Sequence, residues 1–402
     1  MIRFLTAGES HGKALISVID GFPANFELSK EYIDNQLKRR QSGYGRGLRM
    51  KIESDEVEII SGVRYGKTLG SPISLMIRNR DWENWKDRMD SKSSSKPAEK
   101  ITIPRPGHAD LVGLIKYGYS DIRNSIERSS ARETAARVAA GSIARKFLEY
   151  FNITVGSFVE SIGGIYSSKD FKQKLFEDNF LKKYSASKIS LMADRSEVRV
   201  LDNIQEEKII RKIKQAKKKG DTLGGTFFVF ATGVPAGLGS FMQYDQRLDS
   251  EIAASIISIN AVKGVEVGDA FNIADSFGSE SHDEIIFKYN AFTRRTNRAG
   301  GIEGGISTGL PIIVKAAMKP IATLMTPIQS VDLKNFKSVD ARRERSDFVA
   351  VPACSVIAES MFAWSLAKFF LLKFGGDSLD ETRDNYKNYA KKIIQGIKRR
   401  LK

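Results

Sequence analysis

The stretch from Arg132 to Tyr150 is rich in alanine, and its small residues Ala135, Ala139 and Gly141 would let neighbouring backbone approach closely. A long helix of this composition is expected inside the protein, so the chain has to fold around it. Its 402 residues are 41% hydrophobic and 28% charged, a balance outside both the disordered and the membrane classes. That length permits one large domain or two to three ordinary ones. No repeat period and no low-complexity linker divides the chain, so one domain is expected over residues 1–376, followed by a basic helical tail, 377–402.

The opening residues read as a short strand ending at Gly8-Glu9-Ser10-His11-Gly12. A helix is expected from about Ser29 to Arg40, with Ser29 as its N-cap. The runs Val57 to Val63 and Ile73 to Ile77 read as an antiparallel pair of strands. Trp82 to Lys100 is polar and lacks apolar periodicity, so it reads as a mobile loop. Further strands are expected at Ile153 to Val159, Gly225 to Val234 and Ile312 to Ala317, and helices around Ile209 to Lys219, from Asp249 to Ala261 and beyond Asp347.

The formal charge of +16 has two readings, a polyanion such as nucleic acid or a small, highly anionic substrate. Runs such as Lys208 to Lys219 and Lys391 to Lys402 read as solvated helix faces. Cys354 is the sole cysteine, which excludes an internal disulfide or a multi-cysteine zinc site and fits a reducing compartment. The N-terminus lacks the apolar core of a signal peptide. The longest apolar candidate, Met361 to Leu372, is interrupted by Lys368 and falls short of the roughly 20 residues that cross a bilayer. A cytoplasmic protein without membrane contact is expected.

Two nucleotide motifs are nearly present and fail. Gly62 to Thr68 is one residue short of a P-loop and leads into a strand where a helix is required, so it reads as a hairpin turn. The glycines at 43, 45 and 47 lack the strand and the acidic residue of a dinucleotide site.

Of the three histidines, His11 lies in a glycine-framed turn after a strand and His108 follows Arg105-Pro106-Gly107, whereas His282 sits in a polar loop and reads as surface. Either of the first two is a candidate acid or base, against the commoner role of a surface or core residue. Arg40 and Arg46 flank a glycine turn, Arg123, Arg128 and Arg132 crowd the entry to the Ala-rich helix, and Arg342, Arg343 and Arg345 precede Asp347. Arginine's planar fork pairs with carboxylate and phosphate through two hydrogen bonds, so arginines on glycine-loosened loops suit a small polyanion. The bland alternative is solvated surface charge. Ser129 and Ser130 stand before the Ala-rich helix and read either as a phosphate seat or as simple N-capping.

Taken together, these segments closely resemble the chorismate synthase family. The motifs are Gly8 to Gly12, Arg39 to Arg46, Arg105-Pro106-Gly107-His108-Ala109-Asp110 and Arg128-Ser129-Ser130-Ala131-Arg132-Glu133-Thr134. Asn260 to Gly264, Gly300 to Ser307, Lys319-Pro320, Arg345-Ser346-Asp347 and Val351-Pro352-Ala353 complete the series.

The resemblance implies an α+β fold, a single-domain β-α-β sandwich with helices between two antiparallel sheets, assembled as a homotetramer. It implies an anti 1,4-elimination of phosphate from 5-enolpyruvylshikimate 3-phosphate, giving chorismate, with reduced FMN required and no net redox change. Carried over by position, His11 would protonate the departing phosphate, His108 would govern the protonation of the reduced flavin, and Asp347 would assist flavin N5 in taking the C6 hydrogen. Arg40, Arg46, Arg105 and Arg132 would hold the substrate. Arg128, Ser129, Ser130, Asn260, Ala261, Gly304, Lys319, Pro320, Ile321, Ala322, Thr323 and Arg345 would line the flavin site. No metal is implied. No dinucleotide motif or reductase domain is visible, so the reducing equivalents are expected from NADPH through an external reductase. A nucleic-acid-binding protein would also explain the charge, but it predicts a basic stripe interleaved with aromatics, and the arginines are instead scattered beside glycines and histidines.

Overall fold

The computed structural model describes residues 1–46, 54–92, 98–176, 180–288, 291–343 and 347–401. Strands β1 (Arg3–Ala7) and β2 (Ala14–Asp20) pair antiparallel across the turn that carries Ser10 and His11. Gly8 opens this turn at φ 104°, where a Cβ would lie 2.2 Å from the Ala14 carbonyl oxygen, so no other residue fits. Helix α1 (Lys30–Gln41) starts where expected, with the Ser29 hydroxyl accepting from the Tyr32 N–H at 3.3 Å. Strands β3 (Val57–Ser61) and β4 (Ile73–Arg78) form the expected antiparallel pair, and Gly62 to Thr68 is a hairpin turn.

Helix α2 (Trp82–Met89) occupies the segment expected to be a loop. It has no buried residue among its eight, so apolar periodicity could not reveal it. Helix α3 (Asp110–Tyr117) and helix α4 (Arg123–Ser129) lead into the Ala-rich helix, α5 (Thr134–Tyr150), which begins two residues later than the sequence predicts. Ser129 is the last residue of α4, and Ser130 caps a single 3-10 turn, Ala131–Glu133, its hydroxyl accepting from the Arg132 N–H. Of the two readings of this serine pair, Ser130 matches the N-cap, though of the short turn and not of α5.

Strands β5 (Thr154–Ile162) and β6 (Ile165–Tyr166) are followed by the basic helix α6 (Asn203–Lys219), strand β7 (Gly225–Thr232) and helix α7 (Leu248–Ile257). The predicted extension of α7 to Ala261 does not form: the helix ends at Ile257 with Ser258 as its C-cap, and Ala261 takes φ 66°, outside the helical region. Strands β8 (Val262–Val267) and β9 (Ile312–Met318), helix α8 (Val351–Phe374) and helix α9 (Leu379–Arg400) complete the main elements.

The larger sheets are antiparallel, one in the order β1-β2-β4-β3 and the other in the order β8-β9-β7-β5-β6. Helix α5 packs on β2 and β4, α8 packs on β5 and β7, and the two helices pack on each other. The helices therefore lie between two antiparallel sheets, as expected. Gly141 makes the close approach possible: a Cβ there would meet the Ser360 carbonyl oxygen at 2.5 Å.

Helix α8 is long and apolar enough to cross a membrane by length and composition, which reading the apolar run as broken at Lys368 missed. It is instead the core helix, with 89% of its apolar window buried. Its one buried acid, Glu359, is 1% exposed and meets Arg39 from α1, Arg145 from α5 and Arg199, together with the hydroxyls of Ser157 and Ser190. Burial pushes the Glu359 carboxyl up, but the three guanidinium groups outweigh it and hold it well below the usual range. This network ties α1, α5 and β5 to α8.

Candidate active site

The turn between β1 and β2 is fastened to α4 from both sides. The Ser10 N–H donates to the Glu127 carbonyl oxygen at 3.0 Å, and Arg128 donates to the carbonyls of Gly8 and Thr6 at 3.0 and 2.8 Å. Asn79 donates to the Gly12 carbonyl at 2.7 Å and accepts from Arg132 Nε at 2.9 Å, which links the turn to the arginines. The hydroxyls of Ser10 and Ser130 are 3.1 Å apart.

In this frame His11 Nδ1 lies 2.9 Å from Glu127 Oε1, and the His11 ring stacks on Trp85 of α2 at 3.9 Å between centroids. His108 has a parallel arrangement, with Nδ1 2.5 Å from Asp110 Oδ1. Asp110 also takes Arg105 Nε at 2.8 Å, and Arg105 Nη1 donates to Thr323 Oγ1 at 3.1 Å. Burial pushes the Asp110 carboxyl up, but His108 and Arg105 outweigh it and leave it far below the usual range.

Two further arginines meet on one buried carboxylate. Arg40 Nη1 is 3.3 Å from Asp55 Oδ2, and Arg132 Nη1 is 2.5 Å from Asp55 Oδ1. Arg40 also donates to Thr134 Oγ1 and the Ala131 carbonyl, both at 3.0 Å. Its burial pushes its pKa down to about 10, with Asp55 opposing, so it stays charged at neutral pH. Arg46 Nη1 lies 2.7 Å from Asp347 Oδ2, so the residue expected to bind substrate and the one expected to assist at C6 form an ion pair. The charges of both bear on Arg40, which places this pair beside the Asp55 group. Arg342 is pushed down to about 10, first by burial and then by the charges of Arg123 and Arg105, so cations from three segments converge.

The residues expected to line a flavin site fall into two groups. Lys319 Nζ donates to the Gly107 carbonyl, Ala322 lies beside Gly107, the Ile321 carbonyl accepts from Thr222 and Thr323 accepts from Arg105, so the segment from Lys319 through Pro320 to Thr323 lines the His108 loop. Asn260 Nδ2 donates to the Ser129 carbonyl at 3.0 Å, and the Ala261 carbonyl accepts from the Lys319 N–H at 2.9 Å, joining this group to α4. Gly304 lies at the tip of a small hairpin whose neighbours bond to Leu248 and Gly239. Arg345 lies outside the described residues.

Sequence reasoning gave no role to Glu127, Asp110, Asp55, Asn79 or Trp85. Asp110 stands two residues after His108 and Glu127 directly before Arg128, so adjacency to the motifs was the available signal. Among the described residues no group of three or more His, Cys, Asp or Glu could hold a metal ion.

Histidines held on carboxylates and set among converging arginines are an arrangement suited to acid-base chemistry on a small polyanion. The family profile described as chorismate synthase matches residues 2–371. The chorismate synthase of Chlorobium phaeovibrioides (strain DSM 265 / 1930) is 53% identical over 395 residues, covering 98% of each chain. That of Aquifex aeolicus (strain VF5) is 50% identical over 399 residues, again covering 98% of each. A solved structure, described as a crystal structure of chorismate synthase, superposes with a TM-score of 0.79 at 42% identity and 98% coverage of both chains. The chain belongs to the chorismate synthase family and is a lyase.

Proposed function

We propose that this site converts 5-enolpyruvylshikimate 3-phosphate to chorismate by an anti 1,4-elimination that requires reduced FMN. The bond between C3 and the phosphate oxygen breaks, the hydrogen leaves C6, a second ring double bond forms, and inorganic phosphate is released. The observation that carries the reading is the convergence of Arg40, Arg46, Arg105 and Arg132 beside two carboxylate-held histidines.

Arginines fixed in advance by Asp55, Asp110 and Asp347 stabilise the growing charge on the phosphate without reorganising. His11 donates a proton to the departing phosphate, and Asp347, held by Arg46, assists removal of the C6 hydrogen. His108 would govern the protonation of the reduced flavin when it is bound. Asn260 Oδ1 is buried without a protein partner and Ala261 holds a left-handed backbone, so this corner suits a polar ring system that supplies the missing donor. Arg128, Ser129, Ser130, Asn260, Ala261 and the segment 319–323 would hold the flavin, with Gly304 and Arg345 completing the site. Reduced flavin, when bound, supplies an electron to the substrate and recovers it, so the reaction has no net redox change.

We assign the supply of reduced flavin to NADPH through a separate reductase, and the working assembly to a cytoplasmic homotetramer. The outer face of the first sheet supports association, because Leu5, Ile16, Val18 and Ile60 stand exposed on it. The test of the reaction is anaerobic, with a small fixed amount of reduced FMN and a large excess of substrate. Chorismate and phosphate should form in equal amounts, well beyond the flavin supplied. Product that stops at one equivalent per flavin would overturn the proposal.

A further inference from the structure

Glu127 is where three parts of the site converge. Its carboxylate is almost fully buried, accepts from the His11 main-chain N–H at 2.8 Å and lies 2.9 and 3.0 Å from His11 Nδ1 through its two oxygens. Arg123 reaches the same Oε1 at 3.3 Å and sits 5.1 Å over the Trp85 ring. That ring in turn stacks on His11 with 26° between planes. The imidazole is thus held at one edge by a carboxylate and on one face by an indole, with 15% of its side chain exposed. An ionised carboxylate only accepts, so Nδ1 carries the hydrogen between them, and a proton leaving toward substrate departs from Nε2 on the other edge.

We infer that Glu127 is a positioning residue for His11, fixing its tautomer and aim so that Nε2 is presented to the departing phosphate while a counter-charge stabilises the protonated ring. This rests on the proton-donor role proposed for His11. Burial pushes the Glu127 carboxyl up, but the hydrogen bonds and charge of His11, with the charge of Arg123, leave it below the usual range and ionised at neutral pH. Of the other charged groups nearby, Arg88 lies 5.5 Å over the Trp85 ring and the charge of Arg342 bears on Arg123. Neither touches the His11 ring, so the orientation of that ring depends on Glu127 and Trp85.

The experiment compares Glu127→Gln and His11→Asn with the wild-type holoenzyme under anaerobic conditions with reduced FMN. The amide keeps the shape of the carboxylate and loses its charge and its obligatory acceptor character. The expected result is a kcat about 10- to 1000-fold lower for Glu127→Gln, with KM for substrate within about twofold and the alkaline limb of the kcat profile moved to lower pH. Wild-type kcat in Glu127→Gln beside a crippled His11→Asn overturns the inference and leaves the role of His11 standing. Wild-type turnover in His11→Asn overturns that role itself. A raised KM with unchanged kcat would assign Glu127 to substrate binding and also overturn the inference. If the amide variant does not fold, Glu127→Asp carries the same test, because shortening the side chain withdraws the charge from Nδ1. An unchanged kcat there is the overturning result.

Discussion

Arg46 Nη1 and Asp347 Oδ2 stand 2.7 Å apart, so one ion pair joins the segment after α1 to the segment before α8 at the edge of the site. Residues in one ion pair respond to mutation as a unit. Arg46→Ala and Asp347→Asn should each weaken substrate binding or turnover, and the double variant should fall short of the sum by about 1 to 2 kcal/mol. Titration of substrate into all four proteins, in the presence of FMN, measures the coupling. Strict additivity would mean that the pair does not act together on substrate.

Asp55 neutralises two guanidinium groups that both belong to the proposed anion site. Replacing Asp55 with Asn leaves Arg40 and Arg132 buried without that charge, which should destabilise the fold by about 3 to 5 kcal/mol. The same change makes the site more positive, so affinity for the anionic substrate should not fall with stability. Urea midpoints and substrate titrations at a temperature where both proteins are folded separate the two effects. Parallel losses would contradict this reading.

Glu359 predicts how stability depends on pH. Its folded-state pKa lies well below the ordinary value of about 4.5, so its contribution is fully present above that value and is lost as pH falls toward the folded-state value. Glu359→Gln should therefore cost about 3 to 5 kcal/mol at pH 7, and the gap from wild type should narrow progressively as pH falls below about 4.5. Unfolding midpoints at pH 7, 5 and 3 check the sign. A gap that widens on acidification would be the wrong one.

Gly141 sets how closely α5 and α8 pack. Gly141→Ala places its Cβ against backbone, where no rotamer change relieves the clash, and should destabilise by about 1 to 3 kcal/mol. Differential scanning calorimetry gives the shift, and an unchanged Tm would show that the helices separate freely.

The elements with a strong period or cap were readable in advance. Ser29 and the helix after it, the apolar strand at Gly225 and the Ala-rich helix all carry their signal in local order. Helix α2 was not readable, because its Trp85 packs on a histidine turn distant in sequence and none of its residues enters the core. The arginines and histidines could be marked as a chemical set, but their carboxylate partners could not be ranked among 48 acidic residues. Only the fold brings Glu127 to His11 and Asp55 to Arg40 and Arg132. The serine pair was ambiguous for the same reason, since a turn inserted before α5 decides which hydroxyl caps what.

The order of the second sheet has a consequence for synthesis on the ribosome. Strand β9 lies between β8 and β7, although both of those precede it in the chain. While the chain grows from the end of β7 to the start of β9, about 80 residues, the apolar edge at Phe227 to Ala231 has no partner on that side. At translation rates of about 5 to 20 residues per second, the interval is about 4 to 16 s. An unpaired apolar strand is a template for pairing with other chains, so the nascent protein passes through a period in which a chaperone, or slow unproductive self-association, competes for the place that β9 fills.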